Sequence, residues 1–263
     1  MPLISPFFRV PGRWRTRRAR RKRMALQYLT LILLILLVLP LYIIYKLPTF
    51  VINSLQRRFP QVLFHVQTAR KVVALTIDDA PSQYTGEILD ILQANSAAAT
   101  FFTIGGQVPG QEQKLRDILL AGSELGNHAM HDEPSLNLPS DTLRDEINQV
   151  NTYIDEAYAA VGQTRSNHYF RPGSGIFSQR ILDVAKDAGY QTILGSIYPH
   201  DPFISHPRIN GWHILSMLRP GAVIICHDRR SWTPPMLAKV VPEIRRRGYE
   251  VVTVSELLKT AGE

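Results

Sequence analysis

The sequence predicts an α/β fold, a barrel of parallel strands and covering helices preceded by one membrane-spanning helix. Three observations carry this expectation. Twenty-two consecutive residues between Arg23 and Lys46 bear no charge. After them, short apolar runs alternate with amphipathic stretches at helical spacing, the pattern of a parallel sheet covered by helices. About seven such strand–helix units follow one another, which suggests closure into a barrel.

The N-terminal element comes first. Residues 1–23 form a basic tail, with nine Arg or Lys from Arg9 to Arg23 and no acid; the first acidic residue of the chain is Asp78. Residues 24–46 form the span. At about 1.5 Å per residue its uncharged part reaches about 33 Å, enough for a hydrocarbon core of about 30 Å. Basic residues cluster before it and a single lysine follows, which places the N-terminus in the cytoplasm and the rest of the chain across the membrane. The exit, Tyr42 to Pro48, lacks the small residues of a cleavage site, so a retained signal anchor is expected rather than a cleaved leader. Pro40 is compatible with a span, and the basic tail suits anionic lipid headgroups.

The overall charge of +8 invites a nucleic-acid reading, and its distribution argues against one. From Leu47 onward 20 basic residues meet 22 acidic ones, a net of −2, so the excess belongs to the tail and Lys46. The single cysteine, Cys226, excludes an internal disulfide or a Cys-based zinc site and reads as a small buried residue in a strand.

Residues 47–70, with Pro48 and Pro60, read as a juxtamembrane linker, and 71–263 as the folded domain. Strands are expected at Val72–Ile77, Thr100–Ile104, Glu124–His128, Tyr169–Arg171, Thr192–Gly195, Val223–His227 and Val251–Val254. Helical patterns lie between them, several closed by a glycine: Gly122, Gly162, Gly189 and Gly248. In such folds functional residues gather at the C-terminal strand ends. Here those ends carry Asp78-Asp79, His128, Arg171 and His227-Asp228.

Each of these motifs has a chemical reading. Adjacent carboxylates at Asp78 and Asp79 can divide their work, one binding a metal and the other acting as general base. In Asn127–Ser135, His128 and Asp132 are four residues apart, and His131 offers an alternative donor; imidazole nitrogen and carboxylate oxygen both suit zinc. Arg171, before a Pro-Gly turn, can grip a carboxylate. His227, ending a buried strand, can serve as general acid.

Together and in this order, the motifs resemble the polysaccharide deacetylase family, the NodB-homology or carbohydrate esterase family 4 domain, from about Lys71 to Leu258. The resemblance extends to Ala99–Gly105, Glu124–His128 and the stretch from Arg247 to Leu258. It implies a distorted (β/α)7 barrel with one divalent metal, usually zinc. It also implies hydrolysis of N-acetyl groups on an amino-sugar polymer such as chitin, peptidoglycan or an exopolysaccharide. The same resemblance makes Asp78 the catalytic base, Asp79 and His128 metal ligands, Arg171 the residue that orients the base and His227 the acid. Asp132 stands where the family usually has a second histidine, so it is the expected third ligand, with His131 as alternative. The oxyanion is expected to meet the backbone N–H of Ser174.

Departures remain. Ile77 and Ala80 replace the usual Phe and Gly, and the turn reads Arg171-Pro172-Gly173-Ser174-Gly175 instead of Arg-Pro-Pro-Tyr-Gly. The usual Asp/Trp stretch that positions the acid is not recognisable, and Asp201 is its candidate substitute. Two other functions stay open: a membrane-tethered sugar-binding pseudoenzyme, and a hydrolase of a small cyclic amide.

Overall fold

The computed structural model describes residues 13–262, which divide into two units, one ending at Leu47 and the other beginning at Pro48. The first unit is one helix, α1 (Arg13–Lys46). It is longer than the uncharged segment because the arginines and lysines before Met24 are themselves good helix formers. Every residue from Leu31 to Leu39 is exposed, so apolar side chains cover its whole circumference. Residues 19–46 are long and apolar enough to cross a membrane. The start of the basic tail, residues 1–12, lies outside the described residues.

The second unit is a single parallel sheet with helices around it. Its strands are β1 (Val62–Leu63), β2 (Val72–Ala80), β3 (Thr100–Thr103), β4 (Glu124–Asn127), β5 (Tyr169–Phe170), β6 (Gln191–Ile193), β7 (Val223–His227) and β8 (Glu250–Val252). Neighbours run β1-β6-β5-β4-β3-β2-β7, and β8 joins β2. All seven pairings are parallel. The two ends of the order meet only through single bridges, His65 with Ala222 and Ile197 with Ile224, which is why the barrel is distorted.

Seven of the strands lie where the alternation of apolar and amphipathic runs puts them. The eighth, β1, lies in the stretch read as a linker. Residues 47–70 also contain α2 (Thr49–Arg58), and β1 pairs in register with Thr192 and Ile193, so part of that stretch belongs to the domain. An apolar run, Val62-Leu63-Phe64-His65-Val66, does follow Pro60, and the linker reading passed over it.

Around the sheet stand α3 (Thr85–Ala94), α4 (Glu112–Leu120), α5 (Ser140–Ala160), α6 (Gln179–Asp187), α7 (Pro207–Met217), α8 (Thr233–Arg246) and α9 (Val254–Leu258). Both faces of β2 are buried throughout, as expected of a strand covered on each side. One face packs Val72 and Ala74 with Phe102, Ile193, Val223 and the α9 residues Val254 and Leu257. Side chains alternate along a strand, so Thr76 and Asp78 continue this inner row towards the C-terminal end. The row is apolar at its base and polar at its top. A second cluster joins Phe170 to Leu143 and Ile147 of α5 and to Ile181, Val184 and Ala185 of α6.

Candidate active site

Register brings the first pair of functional side chains together. β2 and β7 are neighbours, with Asp78 directly opposite His227. His227 Nε2 stands 3.9 Å from Asp78 Oδ2. The other Asp78 oxygen, Oδ1, accepts a short hydrogen bond from Arg171 Nη1. The Arg171 side chain is fully buried and has no freedom left. It donates to Thr76 Oγ1 at 2.8 Å, Ile193 O at 3.1 Å and Leu194 O at 2.9 Å, and its guanidinium lies 4.1 Å from the centre of the Phe102 ring. Asp78 therefore has one oxygen committed and one turned towards His227.

His227 is equally constrained. Its Nδ1 is 3.0 Å from Asp201 Oδ1, and its backbone N–H donates to Asp201 Oδ2 at 2.8 Å. Nδ1 carries the proton in that pair, leaving Nε2 to exchange one with the site. Burial pushes the imidazole pKa down, but the facing carboxylates of Asp201, Asp78 and Asp79 outweigh it and raise the pKa to about 9. Asp201 is completely buried. Its contacts with His227 place it where the sequence candidate for positioning the acid would stand.

On the other side of Asp78 lie Asp79 and His128. His128 Nδ1 donates to the Arg171 carbonyl at 2.7 Å, which fixes the tautomer and leaves the Nε2 lone pair facing Asp79 Oδ1 at 3.8 Å. Asp79 Oδ2 is buried and has no hydrogen-bond partner, with the Arg230 guanidinium no nearer than 3.6 Å. Burial raises the Asp79 carboxyl above its usual range, against the pull of His128 and His227. A buried carboxylate oxygen without a donor, beside an imidazole whose basic nitrogen is free, is the environment a divalent cation completes.

The backbone is strained around this constellation. Asp79 (φ 63°), Ala129 (φ 61°), Ser174 (φ 63°), His200 (φ 61°) and Arg229 (φ 60°) all adopt left-handed conformations without being glycine. They lie at or beyond the C-terminal ends of β2, β4, β5, β6 and β7 in turn. Such conformations persist only where surrounding bonds enforce them, and they concentrate at functional sites.

Comparison with known proteins agrees with this geometry. Residues 65–193 match the family model described as polysaccharide deacetylase. The peptidoglycan-N-acetylglucosamine deacetylase of Bacillus cereus is 32% identical over 204 residues, covering 75% of this chain and 93% of that protein. The chain belongs to the polysaccharide deacetylase family. It is thus a hydrolase of the class that acts on N-acetyl groups. Bacillus subtilis PdaA, a peptidoglycan-N-acetylmuramic acid deacetylase, is 28% identical over 211 residues, covering 79% of this chain and 78% of that protein. The solved structure of PdaA, a family 4 carbohydrate esterase, superposes with a TM-score of 0.69 at 27% identity, over 79% of this chain and 88% of that one. A Bacillus anthracis protein described as a CE4 family pseudoenzyme superposes at 0.68 with 28% identity, over 75% and 68%.

Within this deacetylase domain, the expected site residues fall into two groups. Asp78, Asp79, His128, Arg171 and His227 are brought together. Asp132 and His131 lie exposed on the loop after β4. Asp132 Oδ2 is 3.8 Å from Arg229 Nη1, and His131 has its ring against Gly106. Among the described residues, no three His, Cys, Asp or Glu side chains surround one point. Asp79 and His128 fit a metal as a pair, and the third donor is not gathered with them. Ser174 sits in a turn whose Gly173 N–H donates to Ser135 Oγ at 2.8 Å. A Cβ at Gly173 would meet Glu133 O at 2.0 Å, so glycine is required there.

Sequence reasoning assigned no role to Asp228, yet its carboxylate is a junction of the site. Fully buried, it accepts from Ser82 Oγ and Thr85 Oγ1, both at 2.5 Å, and from the Arg229 N–H at 2.9 Å, while its own N–H donates to Asp78 O at 2.7 Å. It ties the end of β7 to the turn after β2. Tyr198, half-buried with its ring 5.9 Å from that of His227, also carried no motif.

Proposed function

We propose that this protein is a membrane-anchored, metal-dependent deacetylase that removes acetyl groups from an amino-sugar polymer outside the cytoplasm. The observation that carries the reading is the pairing of Asp78 with His227 across adjacent strands, each held by its own partner, Arg171 and Asp201. Relatives named as deacetylases of peptidoglycan and of chitooligosaccharides support the substrate class.

Asp79 and His128, completed by Asp132 or by His131, would hold the metal. A divalent ion such as zinc supplies a Lewis acid for the acetyl carbonyl and for water. The chain's own residues do the proton work. Asp78 takes the proton of the attacking water through the oxygen that Arg171 leaves uncommitted. His227 keeps Nδ1 on Asp201 and delivers its Nε2 proton to the sugar nitrogen as the amide bond breaks. The backbone N–H of Ser174 stabilises the oxyanion. Acetate and a free amine are the products.

The third ligand can be tested by counting metal. Asp132→Ala should lose zinc while His131→Ala keeps most of it; the opposite pattern in elemental analysis assigns the site to His131.

Residues 24–46 serve as a signal anchor, with the tail in the cytoplasm, lipid around the helix and the catalytic domain outside. The exposed apolar circumference of α1 supports this. Alkaline carbonate should leave the full-length protein in the membrane fraction, and release of a form beginning near Leu47 would show a cleaved leader instead.

A sugar-binding pseudoenzyme is the second reading, because a structural relative is described as a CE4 family pseudoenzyme. Against it stands the joint retention of Asp78, Asp79, His128, Arg171 and His227, since binding alone needs no base, acid and metal pair together. No observation favours a cyclic-amide substrate. The deciding experiment is acetate release from chitin oligomers, peptidoglycan strands and acetylated exopolysaccharide. Binding without acetate release from any of them would assign the pseudoenzyme role.

A further inference from the structure

The loop from β7 to α8 presents two adjacent arginines to the site, in a domain that otherwise carries a slight excess of acid. Arg230 Nη2 lies 3.6 Å from Asp79 Oδ2, and Arg229 Nη1 lies 3.8 Å from Asp132 Oδ2. Both distances exceed hydrogen-bond length, and the two side chains remain partly open, at 24% and 43% exposure. The loop that carries them is built rigidly. At its start the Asp228 carboxylate and Ser82 Oγ both accept from the Arg229 N–H, at 2.9 and 3.1 Å, and hold Arg229 in its left-handed conformation. At its end Trp232 Nε1 donates to Asp201 O at 2.9 Å, and Thr233 Oγ1 donates to His227 O at 2.7 Å. The loop that carries the two arginines is therefore tied to His227 and Asp201.

We infer that Arg229 and Arg230 form a subsite for a carboxylate carried by the substrate, so that the preferred polymer is an acidic amino-sugar glycan rather than neutral chitin. Guanidinium groups bind carboxylates with directional, charge-assisted bonds, often two at once. The carboxylates these arginines now face are those of Asp79 and Asp132, which the proposed metal site would draw to itself. With the cation bound, an anion on the sugar is the partner left for the arginines. Placed beside Asp78 and His227, such a contact fixes which sugar of an alternating polymer presents its acetyl group. The inference rests on the deacetylase reading for the identity of the bound polymer.

Equilibrium binding tests it independently of turnover. Calorimetry on the zinc-loaded full-length chain compares three glycans of matched length: neutral chitin oligomer, the same oligomer with its C6 hydroxyls oxidised to carboxylates, and a strand whose alternate sugars carry a lactyl ether. At least one acidic glycan should bind roughly 10-fold or more tightly than the neutral one, and added salt should weaken that preference. In the Arg229→Gln/Arg230→Gln double variant the ratio should fall to about one, and Arg230→Gln alone should lower it part of the way. Equal wild-type affinity for neutral and acidic glycans, or a preference that survives the double substitution, overturns the inference. Acetate is measured in the same samples. An arginine-dependent preference without acetate release leaves the subsite standing and removes the deacetylase activity; acetate release without the preference does the reverse.

Discussion

Asp78→Asn should retain the bound metal and most of the affinity for substrate, yet lower turnover by roughly 100-fold or more, the usual scale for removal of a general base. The asparagine oxygen can still accept from Arg171 Nη1, so the inner row of β2 keeps its packing and its principal hydrogen bond. What disappears is the basic oxygen turned towards His227. Asp79→Asn is the contrasting variant: it weakens metal binding, and high zinc restores part of the activity. The measurement is acetate release at saturating zinc, with bound metal counted in parallel. Near-normal turnover in Asp78→Asn would make that residue structural and end the mechanism. Arg171→Ala is the poorer probe. It strips the partner from a buried carboxylate, which costs about 3–5 kcal/mol, so lost folding would be confused with lost catalysis.

Asp201→Asn should move the alkaline limb of the pH–rate profile to lower pH. His227 must be protonated to act as the acid, so activity is present below its pKa and is lost as pH rises through it. The wild-type pKa is raised to about 9, because the carboxylates of Asp201, Asp78 and Asp79 prevail over burial. Neutralising Asp201 removes the largest of those carboxylate contributions and leaves burial in place, so the imidazole loses its proton earlier. At pH 8 the variant should be roughly 10-fold or more slower than wild type, and at pH 6 it should recover most of that difference. Both enzymes are compared at equal zinc loading, since a nearby cation also lowers the imidazole pKa. A loss of the same size at every pH would mean that Asp201 only holds the loop in place.

Much of this protein was legible without coordinates, because the signals are local. A 22-residue uncharged run behind nine basic residues is a statement about hydration that needs no fold. The alternation of buried strands and amphipathic helices follows from what each element must hide, and seven of the eight strands lie where it puts them. Asp78, Asp79, His128, Arg171 and His227 could be named because each stands at a strand end, where a parallel barrel collects its chemistry.

The rest depended on distance through space. The apolar run Val62–Val66, close behind the membrane span, read as linker, and its first two residues are a strand because they pair with β6. The facing of Asp78 and His227 follows from a register set over 149 residues of chain, and a shift of one residue would have turned one side chain away. Asp228 was marked only by its place at a strand end, and Ser82 and Thr85 by nothing; only packing makes the three one buried junction. Asp132 shows the opposite case. Its spacing from His128 suits one face of a helix, but the chain after β4 is a loop, so a separation of four residues does not by itself place the two side chains, and metal counting decides the third ligand. Sequence alone therefore determined which chemical groups the protein possesses and at which ends of its strands they stand. Only the tertiary structure decided which of them touch, because contact is set by register, burial and the loops that strain the backbone around the site.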